Sequence, residues 1–370
     1  MFIPVLLILV GLLLLVAGGE LLVRGASTLA RLARIDPLLI GLTVVALGTS
    51  APEMAVCLYA ALSGQPELAL GNVVGSNIAN VLLILGLSAI AAPLVVGTRL
   101  VRLDVPVMIV ASAALLLVGW DGVITQTDGL ILFSGLMAYL GWLFFQSRAK
   151  NDSVATSEDL LDKTTTWGQI GVQLLYVTVS IVLLVFGSNL LVQGASEIAR
   201  QIGVSDLVIG LTVVAVGTSL PELAACLMAV LRGNRDLAVG NCVGSNILNI
   251  LAVMGLTGII APDGVRVPMT ALQSDIPIMI VVAFACLPVF ATGNRISRWE
   301  GFVFFGYFIV YIVWLFVVQT DAPSKDIYAF TILVFVLPLT VITFALIAFR
   351  RIRANRSRSD LTEEPGEETN

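Results

Sequence analysis

Long apolar runs, separated by short breaks rich in charged residues, Gly or Pro, dominate the chain from residue 2 to residue 349. Such runs fit membrane-crossing helices, which need about 20 predominantly apolar residues to traverse a hydrocarbon core. The pattern predicts eleven of them, at 2–33, 37–62, 67–92, 104–119, 127–146, 168–200, 206–231, 236–261, 275–291, 299–318 and 327–349. The first run has neither a basic leader nor a small-residue cleavage site, so it reads as a span rather than a signal peptide. Two stretches break the pattern. Residues 147–166 (SRAKNDSVATSEDLLDKTTT) read as a polar linker, and 350–370, basic and then acidic, as a disordered tail.

Basic residues orient the spans. With the N-terminus outside and sides alternating, 17 of the 20 Lys and Arg residues fall on the inner side, and only Arg200, Arg266 and Lys325 fall outside. That is the bias expected of a cytoplasmic face, and it supports the helix count as well as the direction. The linker and the tail then lie in the cytoplasm.

An internal duplication divides the chain. GGELLVRGASTLAR returns as GSNLLVQGASEIAR, IGLTVVALGTSAPE as IGLTVVAVGTSLPE, and GNVVGSNIAN as GNCVGSNILN, all at an offset of 169 residues. Residues 18–87 and 187–256 share 41 identities in 70 positions, far beyond what shared composition supplies. Five spans precede the linker, so the second copy enters the membrane from the opposite side. The predicted architecture is therefore an all-α polytopic membrane protein of two inverted-topology five-helix repeats, ten core helices in all, plus one extra C-terminal transmembrane helix. Its divisions are 1–146 (first repeat), 147–166 (linker), 167–318 (second repeat), 319–349 (extra helix) and 350–370 (tail). Transporters built this way hold their substrate near the midplane, between the repeats, on interrupted helices.

The strongest identities are polar, and they lie where a membrane tolerates polar groups poorly. Spans two and seven carry Gly48-Thr49-Ser50-Ala51-Pro52-Glu53 and Gly217-Thr218-Ser219-Leu220-Pro221-Glu222 at mid-depth. A carboxylate there costs a few kcal/mol (about 2.5–3.5 on insertion scales) and needs a partner. The neighbouring spans offer no Lys or Arg at that depth, so two acids without basic partners point to a bound cation. Pro52 and Pro221 have no N–H for the carbonyls of Gly48 and Gly217, which frees those oxygens. Thr49 and Glu53 share a helix face, as do Thr218 and Glu222; Ser76 with Asn80 and Ser245 with Asn249 repeat the spacing. Gly71, Gly75, Gly240 and Gly244 allow close helix approach. A membrane Ser or Thr taken singly is usually bonded back to its own helix, and Cys57 and Cys226 read as small packing residues. Together, carboxylates, hydroxyls, amide oxygens and carbonyls without nitrogen or sulfur ligands suit a hard cation, calcium above all.

Composition narrows the function further. The chain is 58% hydrophobic and 12% charged, too few charges to cover a water-facing surface. It contains no His, which removes imidazole relays and His-based triads. No basic stripe suggests nucleic acid, and four Cys inside apolar runs suggest no disulfide framework.

The paired GTSxPE and GNxxGSNIxx motifs resemble those of the sodium/calcium exchanger family, over spans one to ten. The resemblance implies cation ligands at Thr49, Ser50, Glu53, Ser76 and Asn80, at Thr218, Ser219, Glu222, Ser245 and Asn249, and at the carbonyls of Ala46 and Ala215. It implies a sodium/calcium antiporter rather than an enzyme, with Ca2+ and Na+ as transported ions and no cofactor. The bilayer is its setting, without nucleic acid or an obligate protein partner. The short linker resembles the prokaryotic type, which places the protein in a cell inner membrane. The eleventh helix departs from the ten-helix pattern. Asn at both 80 and 249, where many relatives carry one Asp, leaves a formal site charge of −2. A proton/calcium or other divalent antiporter is the alternative within this class. A cation channel or a non-transporting calcium-binding membrane protein is the alternative outside it.

Overall fold

The computed structural model describes residues 2–33, 36–154, 167–201, 215–291 and 294–321, with scattered positions between 330 and 345. The start of the predicted seventh span, most of the linker, the tail and, apart from those scattered positions, the predicted eleventh helix lie outside the described residues.

Eight helices among the described residues are long and apolar enough to cross a membrane: α1 (Phe2–Leu32), α4 (Pro66–Ala91), α5 (Leu100–Val118), α6 (Gln126–Gln146), α7 (Gly168–Gln201), α10 (Arg235–Ile260), α11 (Ala271–Phe290) and α12 (Arg298–Leu315). A ninth span is broken into α2 (Leu38–Thr49) and α3 (Ala51–Leu62), which meet at 45°. Its counterpart is described as α8 (Ala215–Thr218) and α9 (Leu220–Leu231). The breaks fall where the sequence places proline. Pro52 and Pro221 stand at the first positions of α3 and α9, where a missing N–H does no harm. Tight turns join α3 to α4 and α9 to α10. Gly64 and Gly233 take φ of +74° and +80°, while Gln65 and Asn234 return N–H bonds of 2.9 and 2.8 Å to Ala60 and Ala229.

α5 and α11 begin earlier than their apolar runs predict. Arg102, and likewise Gln273 and Ser274, precede the predicted starts at 104 and 275. They are instead wound into π turns, Leu100–Asp104 and Ala271–Asp275, at the head of each helix. Asp104 is fully buried and accepts a hydrogen bond from the Tyr139 hydroxyl at 3.0 Å, with Arg99 at 3.8 Å.

Contacts between the halves occur in pairs. A Cβ built on Gly86 of α4 would meet the backbone of α12 at Phe305 and Gly301, and one on Gly255 of α10 would meet α6 at Phe133 and Gly129. Strand β1 (Leu94–Val95) pairs antiparallel with β4 (Arg295–Ile296), and β2 (Val123–Ile124) with β3 (Val265–Arg266), so each short sheet joins one half to the other. The fold is an all-α bundle of two structurally matching halves. α1 and α7 run along each other in backbone contact; a Cβ on Gly11 would lie 2.7 Å from the Gly187 carbonyl oxygen. α4 and α10 are the most buried spans and form the centre.

Candidate cation site

The two helix breaks and the two central helices meet in the core. Ser50 and Ser219 occupy the breaks with nearly the same non-helical angles, φ −81° and ψ 4° against φ −91° and ψ 7°. Each break ends one helix and begins another. Glu53 and Glu222 therefore stand in the first turns of α3 and α9, where the positive end of the helix dipole favours a carboxylate. Both glutamates are 1% exposed. Thr49, Ser50, Ser76, Asn80, Ser219, Ser245 and Asn249 are also buried, Thr218 is half-buried, and Ala46 is buried. Ala215 begins the short α8. The Ala46 carbonyl accepts the Ser50 N–H at 2.9 Å and lies 3.4 Å from the Thr49 hydroxyl.

The site is built across the repeats. Ser50 of the first repeat donates its hydroxyl to Oε1 of Glu222 in the second, at 3.2 Å. Thr49 reaches Oδ1 of Asn241 on α10, also at 3.2 Å. No Lys or Arg among the described residues pairs with Glu53 or Glu222.

Among the candidate site residues, six buried oxygens have no hydrogen-bond partner among the described residues: Oε2 of Glu53 and of Glu222, Oδ1 of Asn80 and of Asn249, and the hydroxyls of Ser219 and Ser245. The glutamates and asparagines are pseudo-symmetric pairs. Buried acceptors without donors, and buried carboxylates without cationic side chains, are costly in a low-dielectric core. A hard cation offsets both costs at once, and an all-oxygen donor set is what such an ion takes.

Two details depart from expectation. The carbonyl freed by Pro221 is not open, because the Ser188 hydroxyl on α7 donates to the Gly217 oxygen. The first-repeat counterpart of Ser188 is Gly19, where a Cβ would lie 2.8 Å from Met228 and 3.0 Å from the Ala224 carbonyl, so the two breaks are capped differently. Next, Asn80 and Asn249 each open a π turn, Asn80–Leu85 and Asn249–Met254, a distortion that recurs at functional sites. The glycine face of α10 is packed by backbone. A Cβ on Gly240 or Gly244 would lie 2.7 or 2.6 Å from the carbonyl of Leu38 or Leu42; the residues at the equivalent place in the second repeat, 207 and 211, lie outside the described residues.

Asn77, Asn246 and Asn241 also take part. They sit in the same motifs but were not singled out from the sequence; their recurrence in both copies was the available signal. Cys57 and Cys226 are buried packing groups, each receiving an amide N–H from Asn72 or Asn241 at 3.3 Å. Glu20 lies apart from the site, bound by Arg24 and by Arg232 at the end of α9.

Comparison with known proteins agrees with this architecture. The profile of the sodium/calcium exchanger protein family matches residues 3–146 and 172–317. The inner membrane protein YrbG of Escherichia coli is 36% identical over 324 residues, covering 85% of this chain and 98% of YrbG. The sodium/calcium exchanger MaX1 of Methanosarcina acetivorans is 31% identical over 348 residues, covering 84% and 98%. Among solved structures, the sodium–calcium exchanger NCX_Mj soaked with 10 mM Na+ and no Ca2+ superposes with a TM-score of 0.72, at 29% identity, over 84% of this chain and 98% of that one.

Proposed function

The chain belongs to the sodium/calcium exchanger family and is a cation/calcium antiporter of the membrane, and we propose that it moves calcium against sodium through the site between its repeats. The observation that carries this reading is the pair of buried carboxylates, Glu53 and Glu222, whose Oε2 atoms have no donor among the described residues. In this reading the two acids give the site a charge of −2. One Ca2+ or two Na+ neutralise it, so the ions compete for the same oxygens. Hydroxyls of Thr49, Ser50, Ser76, Thr218, Ser219 and Ser245, amide oxygens of Asn80 and Asn249, and the carbonyls of Ala46 and Ala215 complete the coordination.

Transport then follows from desolvation. A charged site resists closure into a low-dielectric core, whereas a neutralised one closes readily, so only a loaded site passes between its two orientations. Domain limits follow the duplication, with repeats at 1–146 and 167–318, an additional span within 319–349 and a cytoplasmic tail at 350–370. The distribution of basic residues supports an inner-membrane protein with its N-terminus outside and its C-terminus in the cytoplasm.

The test is calcium uptake into proteoliposomes with sodium, potassium and proton gradients imposed one at a time. An outward sodium gradient is expected to drive accumulation, and proton or potassium gradients are not. Uptake that follows the proton gradient and ignores sodium contradicts the sodium reading and establishes the proton-coupled one.

A further inference from the structure

Four asparagines form a closed, symmetric set between α4 and α10. Asn80 donates its Nδ2 to Oδ1 of Asn246 at 2.9 Å, and Asn249 donates its Nδ2 to Oδ1 of Asn77 at 3.1 Å. Asn77 in turn donates Nδ2 to the backbone oxygen of Asn246 at 3.3 Å and faces the Met279 sulfur at 3.6 Å. Asn246 donates Nδ2 to the backbone oxygen of Asn77 at 3.3 Å and faces the Met108 sulfur at 3.4 Å. All four side chains are 1–2% exposed.

The direction of each amide is ordinarily a matter of assignment, since its oxygen and nitrogen have nearly the same shape. Here chemistry decides it. A backbone carbonyl only accepts hydrogen bonds, and a thioether sulfur is at most a weak acceptor. Asn77 and Asn246 must therefore turn N–H2 towards them. Flipping either one would set its oxygen against a carbonyl and a sulfur, and its N–H2 against the N–H2 of the next asparagine. With Asn77 and Asn246 fixed, only acceptors are offered to Asn249 and Asn80, which must give up their N–H2 groups in return. Their own oxygens are left pointing away, and these are the Oδ1 atoms that have no partner among the described residues.

We infer that Asn77 and Asn246 are positioning residues that hold the amides of Asn249 and Asn80 oxygen-first towards the cation, each acting across the repeat boundary. The inference rests on the reading of Asn80 and Asn249 as ligands. Without the relay, either asparagine could turn N–H2 inward and present donors where a cation needs acceptors. Because each repeat orients the ligand of the other, the amide oxygens face the site only when both repeats are packed together at α4 and α10.

A carboxylate offers oxygen whichever way it turns, and this supplies the test. Calcium binding to the purified full-length protein is measured by isothermal titration for wild type, Asn77→Leu, Asn249→Asp and the double variant, with Glu53→Gln in the same series. Asn77→Leu is expected to weaken calcium binding about tenfold or more in the Asn249 background and less than about threefold in the Asn249→Asp background. An equal loss in both backgrounds means Asn77 serves packing alone and overturns the relay. If Glu53→Gln abolishes binding while Asn77→Leu changes nothing, the site stands and the relay is wrong. If Glu53→Gln binds as wild type does, the ligand reading falls and the relay with it. Asn246→Leu with Asn80→Asp makes the same comparison through the other repeat, should Asn77→Leu not fold.

Discussion

Ser188 and Gly217 show how far residue-level reading reaches. The loss of an N–H at Pro221 is plain in the sequence, and it correctly frees the Gly217 carbonyl; the donor that claims it lies 29 residues earlier on another helix. Only packing reveals such a partner. The glutamates were legible for the opposite reason, because a mid-span carboxylate is costly whatever surrounds it and its recurrence at a fixed offset leaves little room for accident. Asn77 and Asn246 stand in the same duplicated motif, but nothing in their own chemistry tells an orienting amide from a liganding one. Ser188→Ala leaves a buried carbonyl without its hydroxyl donor and should cost about 1 kcal/mol. In a detergent melt the midpoint should fall by about 1–2 °C. An unchanged midpoint would show that the Gly217 oxygen is satisfied in some other way.

At the scale of elements, the broken spans were readable because proline announces them, and the turns after α3 and α9 because Gly64 and Gly233 supply the positive φ. The π turns were not. A single wide turn inside an apolar or mixed run requires no special residue, so α5 and α11 extend through polar positions that look like a loop. The glycine spacing was legible on α10, where Leu42 backbone atoms leave no room for a Cβ on Gly244. Gly75 is its counterpart on α4, and if transport exchanges the roles of the repeats, both positions carry a close approach in turn. Gly244→Ala should then disrupt the arrangement described, because the clash is with backbone that cannot swing aside. Gly75→Ala should fold and bind calcium with wild-type affinity while exchanging it more slowly by about tenfold or more, a barrier increase of about 1.4 kcal/mol. Binding titrations beside flux assays check this; wild-type flux in Gly75→Ala would show that the α4 face never closes.

For the whole molecule, duplication and parity together prescribed the pseudo-two-fold plan, and the paired sheets β1–β4 and β2–β3 follow it. A site between the repeats was legible from the duplication; what the sequence could not convey is which groups meet across the boundary. Ser50 serves Glu222 across the boundary, and the asparagines exchange partners across it, so the halves are bound by the same groups that we propose as cation ligands. The ion pair of Glu20 with Arg232 has no pseudo-symmetric equivalent, since the counterparts of these two residues are Asn189 and Ser63. The central claim is that Glu53 and Glu222 jointly hold the transported cation. The most direct measurement is sodium-gradient-driven calcium flux into proteoliposomes by Glu53→Gln and Glu222→Gln beside wild type. Each substitution removes a buried charge that has no basic partner among the described residues, so both variants should fold and reconstitute. Each also halves the charge that balances calcium, and flux should fall to the level of empty liposomes. Wild-type flux in either variant would contradict a shared site.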